Sequence, residues 1–235
     1  MKNLFLKLFN RLVVLSNPEL RGIRRVIISA TRTSPRDNPV IVECDDIFIQ
    51  RISKSPIAFT SSFWANHSEW QAVKKYPEIT GRLLDFGCGS GHSDILLARN
   101  GVIVHGIDMS PIGIAIANHL RSAESEAIKQ RLSFSLADVM KDNPKDVYDS
   151  AWASHVFEHI KKPGPIFMGL RRWLKPNAYM LISVPLGHAH DDPSHVHHFK
   201  DEKELTSFLD GFLTIIRTEV AEETGVIRAL LRLDS

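Results

Sequence analysis

Several things that would narrow the class of this sequence at once are scarce in it. Only two cysteines, Cys44 and Cys88, occur in 235 residues. That excludes a disulfide framework and a four-cysteine zinc module, and two unpatterned thiols suit a reducing cytoplasm. No run approaches the roughly 18 uninterrupted apolar residues of a membrane-spanning helix. Charge of one sign is missing too. With 29 Lys and Arg against 27 Asp and Glu the net charge is +2, which gives no general case for a nucleic-acid partner. There is no internal repeat and no low-complexity tract. What remains is an ordinary soluble composition, 43% hydrophobic, in a chain long enough to bury a core without staples.

The first 60 residues lack a clear α/β rhythm. Leu4, Phe5, Leu8, Phe9, Leu12 and Leu15 fall at helical spacing, with Lys2, Lys7, Asn10 and Arg11 on the other face. Lys7 and Asn10 interrupt any signal-peptide core, so secretion is not expected. Two readings stay open for residues 1–15: packing on the chain's own domain or on a second copy, as a homodimer, or peripheral contact with a membrane surface. Arg21, Arg24, Arg25, Arg32 and Arg36 read as a solvated face or as a site for an anionic substrate or phospholipid. Residues 33–39 read as a turn or linker, Val40-Ile41-Val42 as a short strand, and residues 63–76 as a helix closed by Pro77.

After Thr80 the pattern becomes regular. Strands are expected at 82–86, 102–107, 132–137, 147–154 and 179–184, alternating with helices at 92–100, 110–129 and from Pro163 or Pro165 to about Leu174. A helix at 200–209 precedes two closing strands, 212–220 and 225–233, joined by the tight turn Glu223-Thr224-Gly225. This predicts an α/β fold: a Rossmann-like, seven-stranded, mostly parallel sheet with helices on both faces and an antiparallel C-terminal hairpin. Ligands of such sheets bind at the carboxyl ends of the strands, where strand order reverses.

The first strand runs into Leu84-Asp85-Phe86-Gly87-Cys88-Gly89-Ser90-Gly91. A glycine loop between strand and helix lets backbone approach a ligand and offers it N–H groups. A dinucleotide fingerprint starting at Gly87 needs glycine at 92, where this chain has His92; a nicotinamide-binding oxidoreductase is disfavoured on that ground. Asp85 precedes the glycines, Asp108 ends the second strand and can accept from both ribose hydroxyls, and Asp138 ends the third, placed to receive an adenine amino group. Residues 82–185 resemble the class I S-adenosylmethionine-dependent methyltransferases. The glycine loop resembles that family's first motif, Gly106-Ile107-Asp108-Met109-Ser110 its second and Ala137-Asp138-Val139 its third. Trp152 to Ile160 is similar to the segment after strand four. Leu174-Lys175-Pro176-Asn177-Ala178 resembles the turn before strand five, with Asn177 where glycine is common.

The resemblance implies roles by position. Gly87, Cys88, Gly89 and Gly91 flank the methionine part of S-adenosylmethionine, with Asp85 near its amino group. Asp108 holds the ribose, Met109 packs on the adenine, and Asp138 with Val139 closes its far edge. Ser154 and His155 sit beside the cofactor facing the acceptor, and S-adenosylhomocysteine is the product. Residues 1–60 form an N-terminal extension acting as a lid, residues 61–235 the methyltransferase domain, and Trp64, His67 and His197 line the acceptor pocket.

Methyl transfer is an in-line displacement from an already activated donor. The enzyme aligns the reactants and, for a hydroxyl acceptor, removes a proton. Histidines cluster after strand five, from His188 to His198. His195 is the favoured base and His155 the second. A divalent metal on His190, Asp191, Asp192 and His195 is conceivable, but no metal is expected. His155-Val156-Phe157-Glu158-His159 matches the H-x-x-E-H pattern of inverted zinc peptidases, which need it inside a long helix. Here it follows a strand and meets Pro163. The expected activity is O-methylation of a small molecule or glycan in the cytoplasm. Carbon methylation of a quinone-like ring, or cofactor binding without turnover in a partner protein, are the alternatives.

Overall fold

The computed structural model describes residues 17–35, 37–60, 63–64, 69–190 and 192–234, with Ser53 and Ile57 described by backbone alone. The helix expected within residues 1–15, as well as Arg36, His67 and Asp191, lie outside the described residues. Among those described are seven strands in one sheet: β1 (Arg82–Phe86), β2 (Ile103–Asp108), β3 (Leu132–Leu136), β4 (Tyr148–Ser154), β5 (Leu174–Pro185), β6 (Thr214–Ala221) and β7 (Val226–Arg232). Their order is β3-β2-β1-β4-β5-β7-β6. The first five are parallel; β7 runs antiparallel to both β5 and β6. The expected Rossmann-like sheet with its closing hairpin is therefore the observed one. The chain leaves β1 towards β2 and β3, then returns to place β4 on the other side of β1. The strand order reverses between β1 and β4, and a crevice opens at their carboxyl ends.

Strand residues alternate between two hydrophobic layers. Leu83 joins a layer with α1 (Pro18–Thr33), α2 (Pro39–Lys54), α3 (Glu69–Lys75), α4 (His92–Arg99) and α5 (Pro111–Ser122). Leu84 points into the other layer, with α7 (Gly164–Leu170) and α8 (Glu202–Leu209). A short α6 (Glu126–Lys129) precedes β3. The helix expected to run from 110 to about 129 is thus two helices: α5 ends at Ser122, and α6 starts afresh after Ser125, whose backbone is extended. Strand β5 begins at Leu174, earlier than expected. Tyr148 pairs with Leu174 and Ser150 with Tyr179, and the slip between them is absorbed at Asn177, whose φ is 62°.

Residues 40–42 are helical, not a strand. Asn38 caps α2 by accepting from the Val40 N–H, and Pro39 occupies the first turn, a start signal that outweighs three β-branched residues whose strand preference depends on a partner strand. The linker expected at 33–39 is shorter, since Thr33 ends α1 and Pro39 begins α2. Helix α1 buries Leu20, Ile23, Ile27 and Ala30. Arg21, Arg25 and Arg32 are exposed, so the basic stretch is a solvated face at those three positions. Gly22 lets α1 cross α5 closely, since a Cβ there would collide with the His119 ring. The buried Asp45 of α2 locks the pair in place. It accepts from Ser34 Oγ at 2.6 Å, from Ser110 Oγ at 2.8 Å and from the Ile112 N–H at 3.2 Å, so a carboxylate from α2 sits at the positive end of α5. Among the described residues no helix is long and apolar enough to cross a membrane.

Candidate active site

The loop after β1 is anchored by its own backbone. The N–H groups of Gly87 and Cys88 both donate to the Ile107 carbonyl, at 2.9 and 3.0 Å. Gly91 has φ 71°, and a Cβ there would lie 2.5 Å from the Phe134 ring, so glycine is required on two counts. Where a dinucleotide site would need a further glycine, His92 is buried. Its Nε2 lies 3.2 Å from the Phe59 carbonyl and its Nδ1 3.0 Å from Ser90 Oγ. Only a donor suits the carbonyl, so Nε2 carries the hydrogen and Nδ1 accepts from the serine. Burial pushes His92 down to about 4, and the ring is a neutral tie between loop and chain. Trp64 stacks on it with centroids 5.4 Å apart.

The strand-end carboxylates divide by environment. Asp85 is buried at the end of β1 beside the buried Asp94 of α4. Burial raises both, Asp94 to about 7 and Asp85 well above the usual carboxylate range, with the charge of Asp94 adding to the effect of burial. Neither oxygen of Asp94 meets a donor among the described residues, and burial favours keeping a proton on the pair. Asp108 accepts from the Gly89 N–H at 2.9 Å and the Ser110 N–H at 2.7 Å. Burial raises it, and these backbone bonds work against the rise. Asp138 is a loop cap: it accepts from the Met140 N–H at 3.0 Å and pairs with Lys141 at 3.2 Å.

A cavity of about 410 Å³ opens above the β1–β4 crevice. Asp85, Gly87, Cys88, Gly89 and Ser154 line it, together with Trp64, His155 and His195. Gly91, Asp108, Met109, Asp138, Val139 and His197 do not. The cavity therefore gathers the residues expected around a methionine moiety and an acceptor except Gly91, His197 and the undescribed His67, while those expected around adenosine lie outside it. His197 is tied down elsewhere, with Nε2 3.1 Å from the Ile160 carbonyl and its ring on Phe199 and Phe208. His155 follows β4 with φ 56°, a left-handed conformation that costs a non-glycine residue about 1–2 kcal/mol. The metal set conceivable from the loop does not assemble at its described positions, His190, Asp192 and His195. His190 Nε2 is 2.8 Å from the Thr224 carbonyl, and Asp192 takes the Ser194 N–H and hydroxyl and pairs with Arg51. Burial opposes ionisation of Asp192, but the Ser194 hydrogen bonds and Arg51 outweigh it and bring it to about 2. Glu158, His159 and His195 do bring ligand atoms within 4.8 Å of one another. The H-x-x-E-H segment forms a three-residue 3₁₀ turn after a strand, not the long helix of a peptidase.

Several wall residues carry no sequence signal. Phe48, Arg51 and Lys54 reach the cavity from α2, a segment expected to contain a strand. Glu69 lines it from α3, held by buried Arg228 of β7 at 3.0 Å, 159 positions away in the chain. Asp94 had a legible signal, a carboxylate on the core-facing side of the helix after the glycine loop.

A family profile described as a methyltransferase domain matches residues 54–212. Ubiquinone biosynthesis O-methyltransferase of Xylella fastidiosa is 28% identical over 139 residues, covering 54% of this chain and 56% of that protein. Phosphoethanolamine N-methyltransferase 3 of Arabidopsis thaliana is 32% identical over 104 residues, covering 43% of this chain and 20% of that protein. The chain spans about half the length, or less, of these curated relatives. Among solved structures, the glycopeptide N-methyltransferase MtfA complexed with sinefungin aligns with a TM-score of 0.60 at 12% identity, over 72% of this chain and 86% of that one. Haemonchus contortus phosphoethanolamine N-methyltransferase 2, in complex with S-adenosyl-L-methionine, aligns with a TM-score of 0.62 at 17% identity, over 80% and 59%. At such identities these likenesses carry the fold alone.

Proposed function

Because the chain belongs to the methyltransferase-domain family, we propose that it transfers a methyl group from S-adenosylmethionine to an oxygen of a small molecule or glycan. One observation carries this reading: a single cavity has the glycine loop with Asp85 on one wall and His155 and His195 on another. The cofactor fits the residues present. The buried oxygens of Asp94 lack a donor, and a cationic amino group beside Asp85 gives the carboxyl pair a counter-charge. Bound there, the sulfonium supplies an activated methyl group.

The remaining work belongs to the protein. The loop backbone and Asp85 orient the donor. Asp108 holds the ribose, and Met109, Asp138 and Val139 surround the adenine next to the cavity. Trp64 and Trp152 exclude water around the acceptor. His155 takes the acceptor's proton, and Glu158, with Oε1 3.5 Å from its Nδ1, favours the imidazolium that results. His195 has a side chain only 2% exposed, and burial lowers it. It completes the wall of the cavity. His155, in place of the His195 favoured from the sequence, is the first candidate base, because Glu158 Oε1 lies nearer to its Nδ1 (3.5 Å) than to His195 Nε2 (3.8 Å).

A second reading has its own support. Arg51 and Lys54 line the same cavity and suit an anionic acceptor, and one relative is a phosphoethanolamine N-methyltransferase. Calorimetric titration with S-adenosylmethionine, S-adenosylhomocysteine and NADH tests the cofactor, and binding of NADH alone refutes the proposal. Release of S-adenosylhomocysteine on incubation with catechols, glycans and phosphorylated amines tests the acceptor. Turnover with the amines only would replace the oxygen reading by the second.

A further inference from the structure

We propose that Glu158, His159 and His195 form a binding site for one divalent transition-metal ion in the wall of the cavity. Glu158 stands in the 3₁₀ turn after β4 with its side chain 1% exposed. Neither of its carboxylate oxygens has a hydrogen-bond partner among the described residues. A bare buried carboxylate is costly and normally finds a donor or a cation. Its Oε1 has three imidazole nitrogens around it, all too far for good hydrogen bonds: His155 Nδ1 at 3.5 Å, His159 Nε2 at 3.8 Å and His195 Nε2 at 3.8 Å.

The tautomer of His159 sharpens the point. Its Nδ1 lies 3.1 Å from the Ser194 carbonyl. A carbonyl only accepts, so Nδ1 carries the hydrogen and Nε2 turns a lone pair towards Glu158. The Ser194 hydroxyl, itself donating to Asp192 at 2.6 Å, backs the same ring edge, an arrangement typical of the groups that orient a ligating histidine. His195 brings Nε2 to the same oxygen while its Nδ1 has no hydrogen-bond partner among the described residues. The two rings lie 4.9 Å apart at 71°, so their nitrogens converge from different directions.

A carboxylate oxygen and the His159 lone pair thus face each other, and His195 adds a second lone pair in the tautomer that carries its hydrogen on Nδ1. Metal–ligand bonds of about 2.1 Å put tetrahedral neighbours roughly 3.4 Å apart; the two oxygen–nitrogen distances of 3.8 Å are close to that, and the three ligand atoms all lie within 4.8 Å of one another. Two imidazoles and one carboxylate suit Zn²⁺, Co²⁺, Fe²⁺ or Mn²⁺ and disfavour Mg²⁺ and Ca²⁺, which take oxygen ligands. The set leaves at least one coordination position open, and His195 reaches the cavity. An acceptor oxygen bound there loses its proton more readily, with His155 free to receive it. That role rests on the proposed methyl transfer; the binding of the ion does not.

The test uses the full chain, stripped of metal with a chelator and titrated with Co²⁺, read by visible absorption, with Zn²⁺ as competitor. One saturable equivalent per chain is expected, with the intensified absorption of a low-coordinate site. Glu158→Gln and, separately, His159→Gln should each weaken Co²⁺ binding at least tenfold, with S-adenosylhomocysteine affinity reporting that the fold is intact. No saturable binding by the unaltered chain, or wild-type binding by both variants, overturns the site. If Glu158→Gln does not fold, His159→Gln alone decides, since its ring is partly exposed. Loss of cofactor binding in the unaltered chain would count against methyl transfer and leave the cobalt result standing.

Discussion

At the scale of single residues, the buried carboxyl pair under the glycine loop makes the cofactor-free protein sensitive to pH. Asp94 is raised to about 7 from an unfolded value near 4. Between those pH values the folded chain keeps a proton that the unfolded chain has released. The stability it contributes is full below about pH 4 and is lost as pH rises through about 7. His92 has the opposite sign. Lowered to about 4, it contributes stability above its unfolded value of about 6.5 that is lost as pH falls through 4. Asp94→Asn removes the Asp94 share of the first dependence and leaves the second; Asp85, raised mainly by its own burial, keeps its share. Its thermal midpoint at pH 8 is expected to exceed that of the unaltered protein by about 4 °C or more, with little difference at pH 4. A gain of equal size at both pH values would refute the buried-proton account. Asp108→Ala should weaken S-adenosylhomocysteine binding by about 1–3 kcal/mol in calorimetry, since it leaves the Gly89 and Ser110 N–H groups without their acceptor as well as the ribose. Unchanged affinity would dismiss Asp108 as the ribose residue. Both carboxylates beside the glycines were legible because strand, loop and helix follow one another within a few residues. Asp138 was legible only as a strand-end acid, and its use as a loop cap depends on Met140 and Lys141.

At the scale of elements, the N-terminal helices are part of the core. Asp45 joins α1, α2 and α5 through three hydrogen bonds. Asp45→Ala strands buried donors from two serines and a backbone amide, so a loss of about 2–4 kcal/mol is expected in denaturant unfolding. A loss below about 0.5 kcal/mol would mean that α1 and α2 dock without it. This docking was not legible. The Val40-Ile41-Val42 triplet carries a strand preference, and Asp45 looks like a surface acid until its partners 65 and 67 residues away are in place. The strands from 82 onward were legible because their apolar runs sit between glycine, proline and capping serine. Their ends moved where pairing decided them, as at Leu174 of β5 opposite Tyr148.

At the scale of the whole molecule, one buried ion pair joins the cavity wall to the far edge of the sheet. Arg228 and Glu69 have side chains 3% and 4% exposed, and Arg228 also reaches Glu219 at 2.9 Å. Arg228→Met leaves Glu69 buried without its counter-ion and is expected to cost about 3–5 kcal/mol in denaturant unfolding. Glu69→Leu added to it should recover most of that loss, because two apolar groups replace a pair whose desolvation was already costly. Failure of the double variant to recover would show that Glu69 contributes through something other than this pair. The sequence could not announce the contact, since nothing local distinguishes either residue. The left-handed backbone at His155 bears on the whole chain as well. Glycine is the residue that relieves that conformation, and asparagine the next most tolerant. Selection for heat resistance alone therefore pushes position 155 away from histidine, and selection for turnover holds it there. Under the proposed role for His155, a library screened first for survival and then for methyl transfer would split at this one codon, and the split would measure how much robustness the fold gives up to keep an imidazole at the mouth of β4.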